Sequence, residues 1–163
     1  MGNLQEMNEI YEELKSKKLQ QHIKSFIDSD TSHRFPNALM WATINGHLDI
    51  CQFLVRKDLV DVNAKNVDGE NALHKAAMCN QPEIAKLLLE ETSIDVNAKN
   101  NYGYTALHEA ANDQRLEVTR ILLKYKPRLL KNEEGETPLD IARRFGYKDI
   151  VLLLERRYNS KSY

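Results

Sequence analysis

The chain is poor in the residues that cross-link, break or stiffen a fold. Its 163 residues include only 2 Cys, 6 Gly and 4 Pro. Two cysteines 28 positions apart supply neither a disulfide framework nor a zinc ligand set. So little Gly and Pro excludes collagen-like, proline-rich and Gly/Ser-linker compositions. Aromatic residues make up 7%. No run of about 18 apolar residues occurs, so no membrane-spanning helix is expected. The N-terminus has no apolar signal region. Glu6 stands where a myristoylation signal wants Ser or Thr, so no lipid anchor is expected either. There is no N-x-[ST] sequon. Together with the sparse cysteine, these features fit a reducing, intracellular compartment, cytoplasmic or nuclear, or a host-cell compartment for an effector.

An excess of charge of one sign is also missing, but only on average. Residues 1–119 carry 12 Lys+Arg and 18 Asp+Glu, and residues 120–163 carry 11 and 6. An acidic body is thus followed by a basic end. That distribution excludes a uniformly polyanion-binding chain and leaves a polarised one.

What is present is repetition. Four segments begin Asn37-Ala-Leu-Met-Trp-Ala42, Asn71-Ala-Leu-His-Lys-Ala76, Thr105-Ala-Leu-His-Glu-Ala110 and Thr137-Pro-Leu-Asp-Ile-Ala142. Their leucines, Leu39, Leu73, Leu107 and Leu139, are spaced 34, 34 and 32 apart. A second apolar block follows each, from Ile50-x-x-Phe53-Leu54 to Ile150-x-x-Leu153-Leu154, with the i, i+3, i+4 stripe of an amphipathic helix. A third block, Asp61-Val-Asn-Ala-Lys-Asn66, recurs at 95–100, and turn glycines Gly69, Gly103 and Gly135 each precede an anchoring leucine by four. These blocks, repeating in phase over about residues 35–155, resemble the ankyrin repeat, with its period of about 33 and T-P-L-H-x-A signature.

The resemblance implies an all-α solenoid of helix-turn-helix units, each with a protruding β-turn finger. We expect four repeats, at about 35–68, 69–102, 103–134 and 135–155. Residues 1–34 read as a degenerate helical pair capping the N-terminal end, and 156–163 as a polar C-terminal tail. Paired alanines, Ala76-Ala77 and Ala110-Ala111, let first helices approach closely, while aliphatic second helices fill the space between repeats. The inter-helix turns fall at Gly46, Asn80, Gln114 and Gly146. A left-handed Gln114 should cost about 1 kcal/mol.

No residue constellation points to catalysis. His74 and His108 belong to the repeat signature and are expected to bond finger backbone. Helix packing would hold them about 8–10 Å apart, too far to share a zinc that sits about 2 Å from each ligand. No Lys or Arg adjoins Cys79 to activate it. There is no phosphate loop, nucleophile elbow or H-E-x-x-H. We therefore expect a non-enzyme without metal or cofactor. Asn63 and Asn97 are read as bonding the turn backbone. In the resembling family this Asn is also a target of asparaginyl hydroxylation, for which Asn97, with Leu89 eight residues upstream, is the better candidate.

The resemblance places contacts on the concave side, formed by fingers and first helices. The candidate partner-binding residues there are Trp41, Ile44, Asn45, Val67, Asp68, Glu70, Lys75, Met78, Tyr102, Tyr104, Glu109, Asn112, Asp113, Glu136, Arg144 and Phe145. Trp and Tyr are the residues most enriched at interface hot spots. Two tyrosines flanking Gly103 exceed what a solvated turn needs for folding. The acidic middle of the row predicts a protein partner with a basic surface and a salt-sensitive on-rate. The expected function is that of a small stand-alone, monomeric interaction module: a scaffold, competitive inhibitor or effector. The alternative is an anionic partner at the basic end, with Arg143, Arg144, Arg156, Arg157 and Lys161. Nucleic acid is not expected there, since no nucleic-acid motif accompanies them.

Overall fold

The structure, a computed structural model, describes residues 38–159. The expected N-terminal cap over 1–34 lies outside the described residues, as does Lys161. Among the described residues, eight helices form four antiparallel pairs: α1 (Ala38–Ile44) with α2 (Leu48–Arg56), α3 (Ala72–Met78) with α4 (Pro82–Glu91), α5 (Ala106–Asn112) with α6 (Leu116–Lys124), and α7 (Pro138–Phe145) with α8 (Lys148–Asn159). There is no strand among the described residues. First helices α1, α3, α5 and α7 pack in one row, and second helices α2, α4, α6 and α8 in another. This is the all-α repeat solenoid that the resemblance implies.

The core is the seam between the rows. All four anchoring leucines are buried, as are Ile84, Leu87 and Leu88 of α4. Ala76, Ala77, Ala110 and Ala111 have no exposed surface. Their small size allows the seven-residue first helices to lie close together. So short a helix is marginal alone and depends on this packing. Pro82 and Pro138 open α4 and α7, where a missing N–H costs nothing.

The inter-helix turns are left-handed at all four sites: Gly46, Asn80, Gln114 (φ 56°) and Gly146. Gly accommodates this conformation and Gln does not, so Gln114→Gly is expected to stabilise the protein by about 1 kcal/mol, read by urea denaturation. Asp58 and Lys126, after α2 and α6, are also left-handed, which the sequence reading did not anticipate.

Three fingers project between pairs, with tips at 66–70, 100–104 and 132–136. Each is closed by reciprocal backbone bonds: in the second, Asn100 N–H donates to Tyr104 O (2.8 Å) and Gly103 N–H to Asn100 O (3.1 Å). Adjacent fingers are stitched by Asn101 N–H to Asp68 O (2.9 Å) and Glu133 N–H to Tyr102 O (3.1 Å).

One expectation changes here. The side chains that fix the fingers are Asn66, Asn100 and Asn132, whose Oδ1 atoms each accept two tip N–H groups. Asn97 instead reaches across repeats, its Oδ1 accepting from Arg128 N–H (2.7 Å). For Asn63 and Asn97, the finger contact is their own N–H donating to Asp61 and Asp95. The polar tail from residue 156 finishes the last helix, which runs as far as Asn159. Tyr158 turns back and donates to Pro127 O (2.8 Å), which pins α8 to the preceding loop.

Candidate interaction surface

The histidines are structural hubs between the repeats. His74 Nε2 lies 3.1 Å from Tyr104 O, and His108 Nε2 lies 3.2 Å from Glu136 O. A carbonyl only accepts, so each ring carries its proton on Nε2 and Nδ1 is left to accept. Thr105 suits that role, because its N–H (3.1 Å) and hydroxyl (2.9 Å) both reach His108 Nδ1. Asn71 suits it less well. Its N–H reaches His74 Nδ1 (3.3 Å), but its Oδ1, 2.6 Å away, sets lone pair against lone pair. Burial pushes both imidazoles down to about 4, against the backbone hydrogen bonds that favour charging. Each histidine thus ties its first helix to the next finger and sets the finger's angle.

Both cysteines are free thiols. Burial pushes Cys51 up to about 11. Cys79 is also raised by burial, even though the fold brings up Lys75 and Arg115, which its sequence neighbours do not supply. Neither is an activated nucleophile at neutral pH. Among the described residues, no three His, Cys, Asp or Glu side chains form a metal-sized cluster.

The candidate contact residues are not equally available. Trp41 (47% exposed), Val67 (62%) and Tyr102 (59%) stand well out of the fold, as do Asn45, Arg144 and Phe145. Ile44, Asp68, Lys75, Met78, Tyr104, Asn112, Asp113 and Glu136 are half-buried. Glu70 (6% exposed) and Glu109 (8%) are buried, so placing them in an open acidic row is corrected. Their register faces the groove, and both line a cleft there with little of their own surface exposed.

Some charges of the row are also internal. Glu70 pairs with Lys75 and accepts from Asn66 Nδ2 (2.7 Å). Glu136 holds Arg144 through two bonds, at 2.9 and 3.1 Å, and that guanidinium lies 4.5 Å above the Phe145 ring. Arg143 is paired with Glu155 (2.6 Å), so two of the arginines of the basic end already have carboxylates.

Glu109 differs from the other unpaired acidic groups in being buried. Its Oε1 accepts a single bond from Asn100 Nδ2 (3.2 Å), and no cation lies within ion-pair distance among the described residues. Burial, with Glu70 and Asp113 adding and Lys75 opposing, pushes this carboxyl up to about 7.

Five of the candidates come together. Glu70, Tyr102, Tyr104, Glu109 and Asn112 line one cleft of about 370 Å³ with Asn100 and Glu134. The Tyr104 ring packs 5.4 Å from that of His108. Trp41 and Phe145 lie at opposite ends of the first-helix row, outside this cleft. Asn100 and Asn132 were not singled out from the sequence. The available signal was an Asn three residues before each turn glycine.

Asn132 adds a detail. Its equivalents give their Nδ2 protons to Glu70 and Glu109, but its own Nδ2 is buried without a hydrogen-bond partner, because Glu136 has turned to Arg144. It lies near the Tyr104 hydroxyl, close enough to oppose the rise that burial imposes on that phenol, but outside hydrogen-bond geometry.

No helix among the described residues is long and apolar enough to cross a membrane. In comparisons with known proteins, a family model described as ankyrin repeats in three copies matches residues 10–100, and another, described as ankyrin repeats in many copies, matches residues 88–142. No curated protein gives a significant match. In-phase motif blocks, paired short helices, stitched fingers and histidine hubs agree with these matches: the chain belongs to the ankyrin repeat family.

Proposed function

We propose that the protein binds another protein, one with a basic surface, through its concave face of fingers and first helices, and has no catalytic activity of its own. Ankyrin repeats in general are protein-interaction modules. The observation that carries the finer reading is the exposure of Tyr102 at a finger tip beside a Tyr104-lined cleft. A finger already fixed by Asn100 and by the stitching bonds gains nothing from a tyrosine 59% in solvent. An aromatic anchor beside a cleft is the pattern of an interface hot spot. Asp68, Asp113, Glu133 and Glu134 surround the face without an ion-pair partner among the described residues, which favours a basic partner. An anionic partner at the basic end is less favoured, because Arg143 and Arg144 are already paired. Acting as a monomer, such a face would scaffold its partner or block the partner's other contacts.

The test is partner affinity. Once a partner is isolated by crosslinking from the Tyr102 position and identified by mass spectrometry, Tyr102→Ala with Tyr104→Ala should weaken binding by about 2 kcal/mol, roughly thirtyfold. A partner held at full strength by the double variant removes this face from consideration.

A further inference from the structure

We propose that the cleft between the second and third fingers receives one basic side chain of the protein partner, an arginine or a lysine, whose cationic head becomes the counter-ion that Glu109 lacks. The proposal rests on the interaction reading above and deepens it by naming the residue type that the partner inserts.

Three observations converge. The first is shape. The cleft is about 370 Å³, lined by Tyr102, Tyr104 and Glu109, and has room for a long side chain with a polar head. The tyrosine faces can hold the stem and attract the cation.

The second is an incomplete charge. Glu109 is buried and lines the cleft, and its Oε2 has no hydrogen-bond or ion-pair partner among the described residues. The groups that face it are Glu70 and Lys75 from the preceding repeat, Asp113 just past the end of its own helix, and Tyr104 and Glu134 from the fingers. Lys75 is the single cation among them and is committed to Glu70. The cleft therefore holds more carboxylates than cations.

The third is what the site disfavours. An acidic head would face Glu109 and Glu134 directly. An apolar head would leave the Glu109 oxygen uncovered and dry, at the cost of an unpaired buried polar group. A divalent ion needs several oxygen ligands, and no three acidic, His or Cys side chains among the described residues converge. A guanidinium or ammonium answers both the charge and the shape. Glu109, held protonated near neutrality by burial, gives its proton to solvent as the cation arrives and then accepts a charge-assisted hydrogen bond on Oε2.

The test uses the full chain and two small probes: acetyl-Gly-Arg-Gly-amide and its citrulline counterpart, which keeps the shape and loses the charge. Tyr102 and Tyr104 ring signals and the Glu109 carboxyl are followed by NMR as each probe is added to millimolar concentration. The arginine peptide should shift both rings and lower the Glu109 titration midpoint by about one pH unit, a roughly tenfold change in proton affinity. The citrulline peptide should do neither. Equal responses to both peptides, or a Glu109 midpoint that does not move, would overturn the proposal.

With an identified partner, Glu109→Gln should cost about tenfold in affinity. If that variant binds at full strength while Tyr102→Ala does not, the cation receptor falls and the interaction face stands.

Discussion

Between pH 4 and pH 7 the protein is expected to gain about 3 kcal/mol of stability, and the Glu109→Gln variant about 6 kcal/mol. The difference arises from three buried groups that titrate in opposite senses. His74 and His108 lie at about 4 in the fold, lowered by burial, against about 6.5 in the unfolded chain. In that window the unfolded chain binds more protons, so stability rises with pH. The contribution is fully present above 6.5 and is lost as pH falls toward 4, at about 3 kcal/mol for each histidine. Glu109 works the other way. Burial, then Glu70 and Asp113, raise it from 4.5 to about 7. Its protonated form is favoured by the fold, so its contribution is present below 4.5 and is lost as pH rises through 7, again by about 3 kcal/mol. Gln keeps the shape and the carbonyl that accepts from Asn100 Nδ2, and it removes this opposing titration. Urea denaturation of both proteins at the two pH values measures the effect. Parallel pH profiles for the two would show that Glu109 is solvated rather than enclosed by the second finger.

Gly103→Ala is expected to destabilise the protein by about 3 kcal/mol and Gly135→Ala by about 1 kcal/mol, although the two glycines occupy equivalent places in successive fingers. Both are left-handed, at φ +75° and +80°, so alanine strains the backbone at either. Only Gly103 has another finger against it. A Cβ there would sit 2.8 Å from Glu133 N and 3.0 Å from Asn132 Cα, both backbone atoms that cannot swing aside. It would also press on the bond from Glu133 N–H to Tyr102 O that joins the two fingers. A Cβ on Gly135 meets nothing within 4 Å. Thermal or urea denaturation separates the cases. Equal losses would mean that the fingers are not stacked as closely as the structure places them.

The scaffold was legible because it is written in phase. Leu39, Leu73, Leu107 and Leu139 are buried at one repeated position, and Ile84, Leu87 and Leu88 show why the i, i+3, i+4 block belongs to a second helix. His74 and His108 bond the following fingers, as their place in the signature suggests. The left-handed turn at Gln114 could be read from its alignment with Gly46 and Gly146.

The site was legible in direction but not in depth. Register alone says that Lys75 and Glu109 face the groove, and it cannot say that the second finger encloses Glu109 while Lys75 is held by Glu70. That outcome depends on side-chain size and on pairing within and across repeats, 5 to 37 positions away in sequence. The same limit hid the cations beside Cys79 and the turning of Glu136 from Asn132 to Arg144. Two carboxylates of the acidic row, Glu70 and Glu136, are therefore spent on internal ion pairs. What remains among the described residues is a set of unpaired acidic groups around a cleft, with the buried Glu109 in its lining.

Hydrogen exchange of the protein with and without its partner tests the interaction face most directly. If the concave face binds, exchange should slow in the finger tips 66–70 and 100–104 and along α3 and α5, while α4 and α6 on the opposite side keep their free rates. Slowing confined to α4 and α6, with the fingers unchanged, would contradict it.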